Sequence, residues 1–132
     1  MPMLKPSVLV LDDDDDNVQI LEAALSSRGF DVRTAASSAE ARALLSEHTV
    51  DALVTDFSLG DGDALELIAA LGPQRPRIAI LVTGYGRPED QARSRAAGFD
   101  AHLVKPVMLD QLDAALRRGL AREPSAEPPD LA

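Results

Sequence analysis

The stretch from Val8 to Asn17 constrains the fold most strongly, because four apolar residues lead directly into five consecutive aspartates. The apolar run from Val8 to Leu11 is too short for a helix core and is typical of a strand buried on both faces. Five adjacent like charges repel one another, so they do not favour a stable fold by themselves. Either they form a solvated acidic loop that also caps the next helix, or some of them gather a hard divalent cation such as Mg²⁺.

The composition indicates one domain with an aliphatic core. The chain has 132 residues, of which 45% are hydrophobic but only 3% aromatic, so the core must be built mostly from Ala, Leu, Val and Ile. The net charge of −9 argues against binding to nucleic acid through its phosphates. Cysteine is absent, which excludes disulfides and thiolate sites. Residues 1–6 form an extension that resembles neither a signal peptide nor a membrane span, so we expect a soluble cytoplasmic domain with no membrane partner.

Apolar runs and helical patterns alternate along the rest of the chain. Runs at residues 30–35, 50–54, 78–82 and 101–104 predict four more strands, and amphipathic spacing predicts a helix after each of the five. Asp15 or Asp16 is predicted to cap the first helix. Ser37 and Glu40 fit a capping box for the second helix, and Asp63 is predicted to cap the third.

The last two helices differ in their apolar faces. The fourth begins near Pro88 and has only a thin alanine face, formed by Ala92, Ala96 and Ala97, so it is predicted to be the least firmly anchored. The fifth has a clear leucine stripe at Leu109, Leu112, Leu116 and Leu120. Residues 122–132 contain three prolines and no periodicity. They are expected to be a disordered tail, so that the folded domain covers residues 7–121.

Five strands alternating with five helices predict an α/β fold with a parallel, doubly wound sheet. Sites in such sheets lie at the carboxyl ends of the strands, beside the point where the strand order reverses. The residues expected there are Asp12, Asp13, Asp56, Thr83 and Lys105. Three carboxylates, one hydroxyl and one ammonium from four strands are therefore predicted to converge on one edge.

This set of groups suits phosphoryl chemistry. Closely spaced carboxylates repel one another unless a cation such as Mg²⁺ or Mn²⁺ neutralises them, and such a metal leaves positions open for phosphate oxygens. Asp56 ends a central strand and is well placed as a nucleophile towards phosphorus. An acyl phosphate on Asp56 would be stabilised by the metal, by Lys105 and by the Thr83 hydroxyl, each at one oxygen.

At these positions the sequence resembles a response regulator receiver domain of two-component signalling, over Ser7 to about Leu120. The motifs that carry the resemblance are Leu11-Asp12-Asp13, Asp56 with Leu59 and Asp63, Thr83-Gly84, and His102-Leu103-Val104-Lys105-Pro106. The resemblance implies a CheY-like, flavodoxin-like sandwich whose parallel sheet has the order 2-1-3-4-5. Residues 97–107 are also similar to receivers attached to hybrid histidine kinases.

The resemblance implies a role for each residue at the acidic edge. Asp56 would accept a phosphoryl group from a phosphohistidine of a sensor kinase, a hybrid histidine kinase or a histidine phosphotransfer protein. Asp12 and Asp13 would hold Mg²⁺, together with Asp56 and the backbone carbonyl of Ser58. Lys105 would pair with the phosphoryl group.

The resemblance also implies a conformational switch. Thr83 would move to hydrogen-bond the phosphoryl group, and His102, at the position of the family's switch aromatic, would turn inward with it. The face from Ala92 to Leu116 would then change its preference for a downstream protein. On this expectation the protein is a single-domain phosphoacceptor without a DNA-binding output. It is expected not to be an enzyme with a separate substrate, since it promotes only its own phosphotransfer and dephosphorylation.

Two other functions stay open. Asp12-Asp13-Asp14 contains the Asp-x-Asp pattern of haloacid-dehalogenase-type aspartyl-phosphate hydrolases, although that family needs a further acidic pair late in the chain and usually a cap insertion. A degenerate receiver that acts only as a docking module is the second alternative, and the intact site speaks against it. One departure from the receiver pattern concerns the loop after Asp56, where Gly60 replaces a frequent Pro and predicts a looser loop.

Overall fold

The structure is a computed structural model and describes residues 5–122. Five strands and five helices alternate along the chain, with a short 3₁₀ turn at Gly72–Gln74. The strands are β1 (Ser7–Leu11), β2 (Asp31–Ala35), β3 (Ala52–Asp56), β4 (Ile78–Thr83) and β5 (Ala101–Val104). The helices are α1 (Asp15–Ser27), α2 (Ser38–Glu47), α3 (Ala64–Leu71), α4 (Pro88–Ala97) and α5 (Leu109–Ala121). Most of the expected N-terminal extension and of the expected tail lies outside the described residues.

All five strands are parallel, in the order β2-β1-β3-β4-β5, which confirms the predicted fold and strand order. Burial explains the order. In β1, β3 and β4 almost every residue is buried, so these strands occupy the middle of the sheet, whereas β2 alternates between exposed and covered positions at an edge. No helix within residues 5–122 combines the length and the apolar character needed to cross a bilayer.

Helices cover both faces of the sheet, and each face has its own hydrophobic core. Along β1, Leu9 and Leu11 point to one face and Val8 and Val10 to the other, as the alternation of a strand requires. The first core is completed by α2 and α3, and the second by α1 and α5. Because the strands between these two cores are parallel, the carboxyl ends of β1, β3, β4 and β5 lie at the same edge of the sheet.

The start of α1 differs from the prediction. The N-cap is Asp14, not Asp15 or Asp16, and its carboxylate accepts hydrogen bonds from the N–H groups of Asp16 and Asn17. Asp14 has an extended backbone, which aims its side chain at the first turn, whereas Asp15 and Asp16 already belong to the helix. A run of five aspartates offers several possible caps. The extended backbone at Asp14, just before the first helical residue, makes this aspartate the cap.

The other two predicted caps are present. Ser37 caps α2 by accepting from the N–H of Glu40, although the Glu40 carboxylate accepts from Ala36 rather than from Ser37 itself. Asp63 and Glu66 form a complete capping box at the start of α3. These caps fix where the two helices begin, and the cap at Asp63 ends the loop that follows Asp56.

The predicted alanine face of α4 is wrong. Ala92 and Ala96 are exposed and Ala97 is only partly buried, whereas Ser94 is the one buried residue of this helix. In α5 the predicted stripe is confirmed at its centre, where Leu112 and Leu116 are fully buried, while Leu109 and Leu120 flank the core. The small alanine side chains carried too little apolar area to decide how α4 is oriented.

Candidate functional site

The carboxyl edge of the sheet brings together side chains from separate strands. The Lys105 ammonium, just after β5, lies 3.3 Å from Oδ2 of Asp56 at the end of β3. It also lies 3.8 Å from Oδ2 of Asp12, just after β1. These three groups are 93 residues apart at most in sequence, and the parallel sheet places them within one ion-pair network.

Asp12, Asp13 and Asp56 form an acidic cluster in which each residue offers a carboxylate oxygen and these oxygens all lie within 4.8 Å of one another. Three carboxylates and one ammonium leave two negative charges at the site. Oxygen ligands with this residual charge fit a hard divalent cation such as Mg²⁺ or Mn²⁺. The donor chemistry therefore agrees with the predicted metal, and receiver domains generally bind Mg²⁺ at such an acidic pocket.

Asp12 is the buried member of the cluster and is held on both of its oxygens. Oδ1 accepts from the backbone N–H of Asp14 at 3.0 Å, and Oδ2 accepts from the side-chain amide of Asn17 at 2.7 Å. Asn17 is a residue that sequence reasoning did not assign to the site. Its amide neutralises no charge, but it gives a carboxylate that is only 4% exposed a second hydrogen-bond donor.

Asp56 is oriented by its own loop. Its Oδ1 accepts from the N–H of Phe57 at 2.8 Å, while Oδ2 faces Lys105. The side chain is 17% exposed, so one side of the carboxylate is open to an incoming group. A half-buried carboxylate with one fixed and one ion-paired oxygen is a suitable nucleophile towards phosphorus.

Asp13 and Ser58 lie at the open rim of the site. Both are exposed, and Ser58 pairs with Asp63 in an isolated antiparallel bridge across the loop between β3 and α3. Gly60 in this loop has φ +79°, a conformation that favours glycine, and a Cβ on it would lie 3.8 Å from Oδ2 of Asp13. The backbone conformation therefore favours glycine here, whereas a Cβ at this distance from Asp13 would make only an ordinary contact.

Asp61 ties the same loop to α2, a contact that the sequence did not reveal. Its carboxylate accepts from the backbone N–H groups of Ser38 at 3.0 Å and Ala39 at 3.1 Å, in the first turn of α2. These two hydrogen bonds lower the pKa of Asp61 below its usual value. The loop expected to be loose, because Gly60 replaces a proline, is thus clamped to the neighbouring helix by a charge.

Thr83 ends β4 and is 1% exposed. Its hydroxyl oxygen accepts from the N–H of Tyr85 at 3.2 Å, and its carbonyl accepts from the N–H of Lys105 at 2.8 Å. Within residues 5–122 it makes no hydrogen bond to the acidic cluster. The structure thus places Thr83 at the predicted edge, with its hydroxyl engaged by its own loop.

His102 lies on β5 with its ring directed towards α4 and the loop after β4. Nε2 is 2.7 Å from the Tyr85 carbonyl, and Nδ1 is 3.0 Å from the Ser94 hydroxyl. Sequence reasoning singled out His102 but not Ser94, because a serine in a weakly amphipathic helix carries no signal of its own. Phe57 and Tyr85 meet edge to face in the same region, with ring centroids 6.0 Å apart.

Comparison with known proteins agrees with this fold. The family model described as response regulator receiver domain matches residues 8–117. The transcriptional regulatory protein PrrA of Mycobacterium tuberculosis is 35% identical over 121 residues, which cover 91% of this chain and 52% of PrrA. The chain thus spans about half the length of this curated relative.

Solved structures are similar over most of the chain. A CheY-like response regulator receiver domain protein from Methanospirillum hungatei matches with a TM-score of 0.81 and 29% identity, covering 88% of this chain and 94% of that one. A response regulator from Burkholderia pseudomallei, with a phosphorylated aspartic acid, calcium ion and citrate, has a TM-score of 0.78 and 30% identity, covering 84% and 66%. With the family model matching most of its length, this chain belongs to the response regulator receiver domains of two-component signalling.

Proposed function

We propose that Asp56 is the phosphoacceptor of this receiver domain and takes its phosphoryl group from a phosphohistidine. The observation that carries the proposal is the position of the Asp56 carboxylate, which lies at the carboxyl end of a central strand, 3.3 Å from the Lys105 ammonium and within the acidic cluster. The donor would be a sensor kinase, a hybrid histidine kinase or a histidine phosphotransfer protein.

The transfer replaces the bond between phosphorus and the histidine nitrogen with a bond between phosphorus and Asp56. A carboxylate oxygen of Asp56 forms a bond to phosphorus while the bond between phosphorus and the histidine nitrogen breaks, and that nitrogen keeps the electron pair and takes up a proton from water. The Lys105 ammonium lies close enough to Asp56 to offset the negative charge of the arriving phosphoryl group. Phe57 holds the other carboxylate oxygen and so limits rotation of the nucleophile.

Asp12, Asp13 and Asp56, with the backbone carbonyl of Ser58, would hold Mg²⁺ or Mn²⁺. A bound divalent cation would supply charge neutralisation at the phosphoryl oxygens and at the crowded carboxylates. The hydrogen bonds from Asn17 and Asp14 keep the Asp12 carboxylate facing the cluster. The phosphorylated aspartic acid and calcium ion of the Burkholderia pseudomallei relative support this assignment.

Phosphorylation would change protein contacts through Thr83 and His102. The Thr83 hydroxyl would leave the Tyr85 N–H for the phosphoryl group, and the loop between β4 and α4 would follow. The surface of α4, β5 and α5 would then favour another partner. That partner is a downstream protein rather than nucleic acid, given the charge of −9. PrrA, which is a transcriptional regulatory protein, is about twice as long as the stretch that matches this chain.

In this proposal the chain acts in the cytoplasm as a signalling phosphoacceptor, not as an enzyme on a separate substrate. Its own groups promote only the phosphorylation of Asp56 and the hydrolysis of the acyl phosphate that forms there. A degenerate docking module is the second candidate, but it would not need the Lys105 ammonium to be held within 4 Å of two carboxylates.

The test is intact mass spectrometry after incubation with acetyl phosphate, with and without Mg²⁺. The wild type is expected to gain one phosphoryl adduct that depends on Mg²⁺, and Asp56→Asn is expected to gain none. Asp31→Asn is the matched control, because Asp31 is an exposed aspartate at the opposite end of the edge strand β2, and it should behave as the wild type.

Three results would contradict the proposal. A wild type that gains no adduct, and whose amide spectrum does not respond to beryllofluoride, would indicate the docking module. An adduct retained in Asp56→Asn and located on Asp12 would indicate the hydrolase alternative. An adduct that forms equally after metal removal would refute the role assigned to the acidic cluster.

A further inference from the structure

Helix α4 has no apolar stripe, and it contacts the rest of the protein through the partly buried Ala97 and through a buried polar residue. Ser94 is its one buried residue and is 2% exposed. Helices usually bury apolar residues every three or four positions, and Ala92 and Ala96 of α4 are exposed. A buried hydroxyl requires a hydrogen-bond partner, and a partner outside the helix ties the helix to its neighbour.

The partner is the ring of His102 on β5. The Ser94 hydroxyl oxygen lies 3.0 Å from Nδ1 of His102 and 3.2 Å from the carbonyl of Gln91 in its own helix. At the other side of the ring, Nε2 lies 2.7 Å from the Tyr85 carbonyl. A carbonyl only accepts, so Nε2 carries a hydrogen and donates.

This pairing persists in both charge states of the ring. When the ring is neutral, Nδ1 is an acceptor and the Ser94 hydroxyl donates to it. When the ring is charged, Nδ1 donates to Ser94, whose hydroxyl hydrogen then turns to the Gln91 carbonyl. The geometry of the Ser94 and His102 contact is therefore compatible with either form of the ring.

Packing alone does not hold the His102 ring in this orientation. The ring borders a cavity of about 260 Å³ between α3, α4 and the loop after β4, with Phe57 and Leu65 on its far wall. Arg87, Asp90 and Arg93 also line this cavity, and none of them hydrogen-bonds the ring within residues 5–122. The hydrogen bonds at its two nitrogens therefore contribute to holding the ring in this orientation.

The same link continues to the phosphoacceptor edge. The Tyr85 carbonyl accepts from His102, while the Tyr85 N–H donates to the hydroxyl of Thr83. Both peptide groups of Tyr85 are thus held, one by β5 and one by the end of β4. Gly86 lets the loop lie close over β5, since a Cβ there would be 2.6 Å from Cγ2 of Val104.

We infer that Ser94 is a positioning residue, whose hydroxyl holds His102 on the Tyr85 carbonyl and thereby couples α4 to the loop that carries Thr83. This inference rests on the proposed function, because the coupling of α4 to Thr83 affects signalling only if Thr83 responds to phosphorylation. The contacts of Ser94, His102 and Tyr85 are present before phosphorylation, so they are tested in the unphosphorylated protein.

The experiment is long-range ¹H–¹⁵N spectroscopy of the histidine rings in Ser94→Ala, without metal or phosphodonor. In the wild type, His102 should show a single form with hydrogen on Nε2, while His48 serves as the internal reference. In Ser94→Ala the His102 ring should lose that signature and show both tautomers. The amide signals of Thr83 and Tyr85 should shift as well, although they lie about ten residues from the substitution.

Ser46→Ala is the matched control, because Ser46 in α2 also donates to the carbonyl three residues earlier but makes no hydrogen bond to a ring among residues 5–122. It should leave His102, Thr83 and Tyr85 unchanged. Ser94→Thr keeps the hydroxyl and should restore the wild-type ring signature.

Unchanged ring signals and unchanged Thr83 and Tyr85 amides in Ser94→Ala would overturn the inference. It would also be overturned if Thr and Ala at position 94 displaced the ring equally, since size and not the hydroxyl would then be decisive. Asp56→Asn should keep the wild-type ring signature, so a failure of the phosphoacceptor assignment is distinguishable from a failure of this one.

Discussion

Helices α4 and α5 flank the same edge strand, β5, but are held in opposite ways. In α5, Leu112 and Leu116 are fully buried, and a Cβ on Gly119 would lie 3.1 Å from three side-chain atoms of Ile78. In α4, the buried residue is Ser94, which contacts the sheet through a hydrogen bond. The stabilisation from apolar burial is proportional to the buried area and is not directional. A hydrogen bond is directional, and its groups can exchange one partner for another. A helix held in the second way is suited to change position.

Polar contacts secure α5 from outside. Arg28, at the end of α1, forms ion pairs with Asp110 and Asp113 of α5, and the hydrogen bonds that its guanidinium donates to these carboxylates raise the pKa of Arg28 above its usual value. Arg117 stacks over the ring of Phe30, 4.7 Å from its centroid. The α5 helix thus adds ion pairs and a cation–π contact to its apolar burial, and we expect it to be anchored more firmly than α4.

The comparison predicts the largest effect for a truncation in α5. Leu112→Ala should lower the free energy of unfolding by about 2 to 5 kcal/mol, because it leaves a cavity in a closed core. Ser94→Ala should cost only about 1 kcal/mol, the net value of a typical hydrogen bond. Urea denaturation measures both, and Ile20→Ala is the control, since Ile20 is 65% exposed and its truncation should be nearly neutral. Equal losses at positions 112 and 94 would refute the contrast.

Hydrogen exchange sharpens the comparison without a large perturbation. The amides in the middle of α5 should be protected about tenfold or more over those in the middle of α4, a difference of about 1.4 kcal/mol in local opening. In Leu112→Ala this difference should shrink, because the apolar anchor of α5 is reduced. Equal protection of the two helices in the wild type would show that one buried serine anchors α4 as firmly as the leucines anchor α5.

The smallest predicted effect concerns α2, whose first turn is held by the charged Asp61. Its pKa is lowered by the N–H groups of Ser38 and Ala39, so its contribution to stability is fully present above the usual Asp pKa. That contribution is lost as the pH falls through the lowered pKa. Asp61→Asn should remove this part of the acid dependence in urea denaturation, while Asp31→Asn should retain it. A carboxyl group of Asp61 that titrates by NMR at the usual Asp value would contradict the clamp.

Most of the acidic edge was predictable because it follows from order along the chain. Apolar runs predict buried strands, alternation with helices predicts a parallel sheet, and parallel strands end at one edge. Asp12, Asp56 and Lys105 therefore had to meet. The motif resemblance then supplied the strand order and a role for each residue, which composition and spacing do not provide.

The contacts that orient these residues were not predictable. The Asp61 clamp joins residues 22 and 23 positions apart, and the bond of Ser94 to His102 joins a helix to the following strand. The alanine face predicted for α4 was wrong for the same reason, since small side chains leave the orientation to whichever partner the neighbouring strand presents. Hydrogen-bond partners depend on angles and distances that a one-dimensional pattern does not contain.

The sequence by itself determined the number and type of elements, the aliphatic core and the identity of the groups at the acidic edge. These follow from hydrophobic periodicity and from the position of charged residues at strand ends, which are local properties of the chain. Only the tertiary structure decided that Asp14 caps α1, that Asn17 holds Asp12 and that Ser94 is the buried residue of α4, beside His102. Such choices among equivalent polar groups are made by geometry, because a hydrogen bond forms only where folding has already placed both partners.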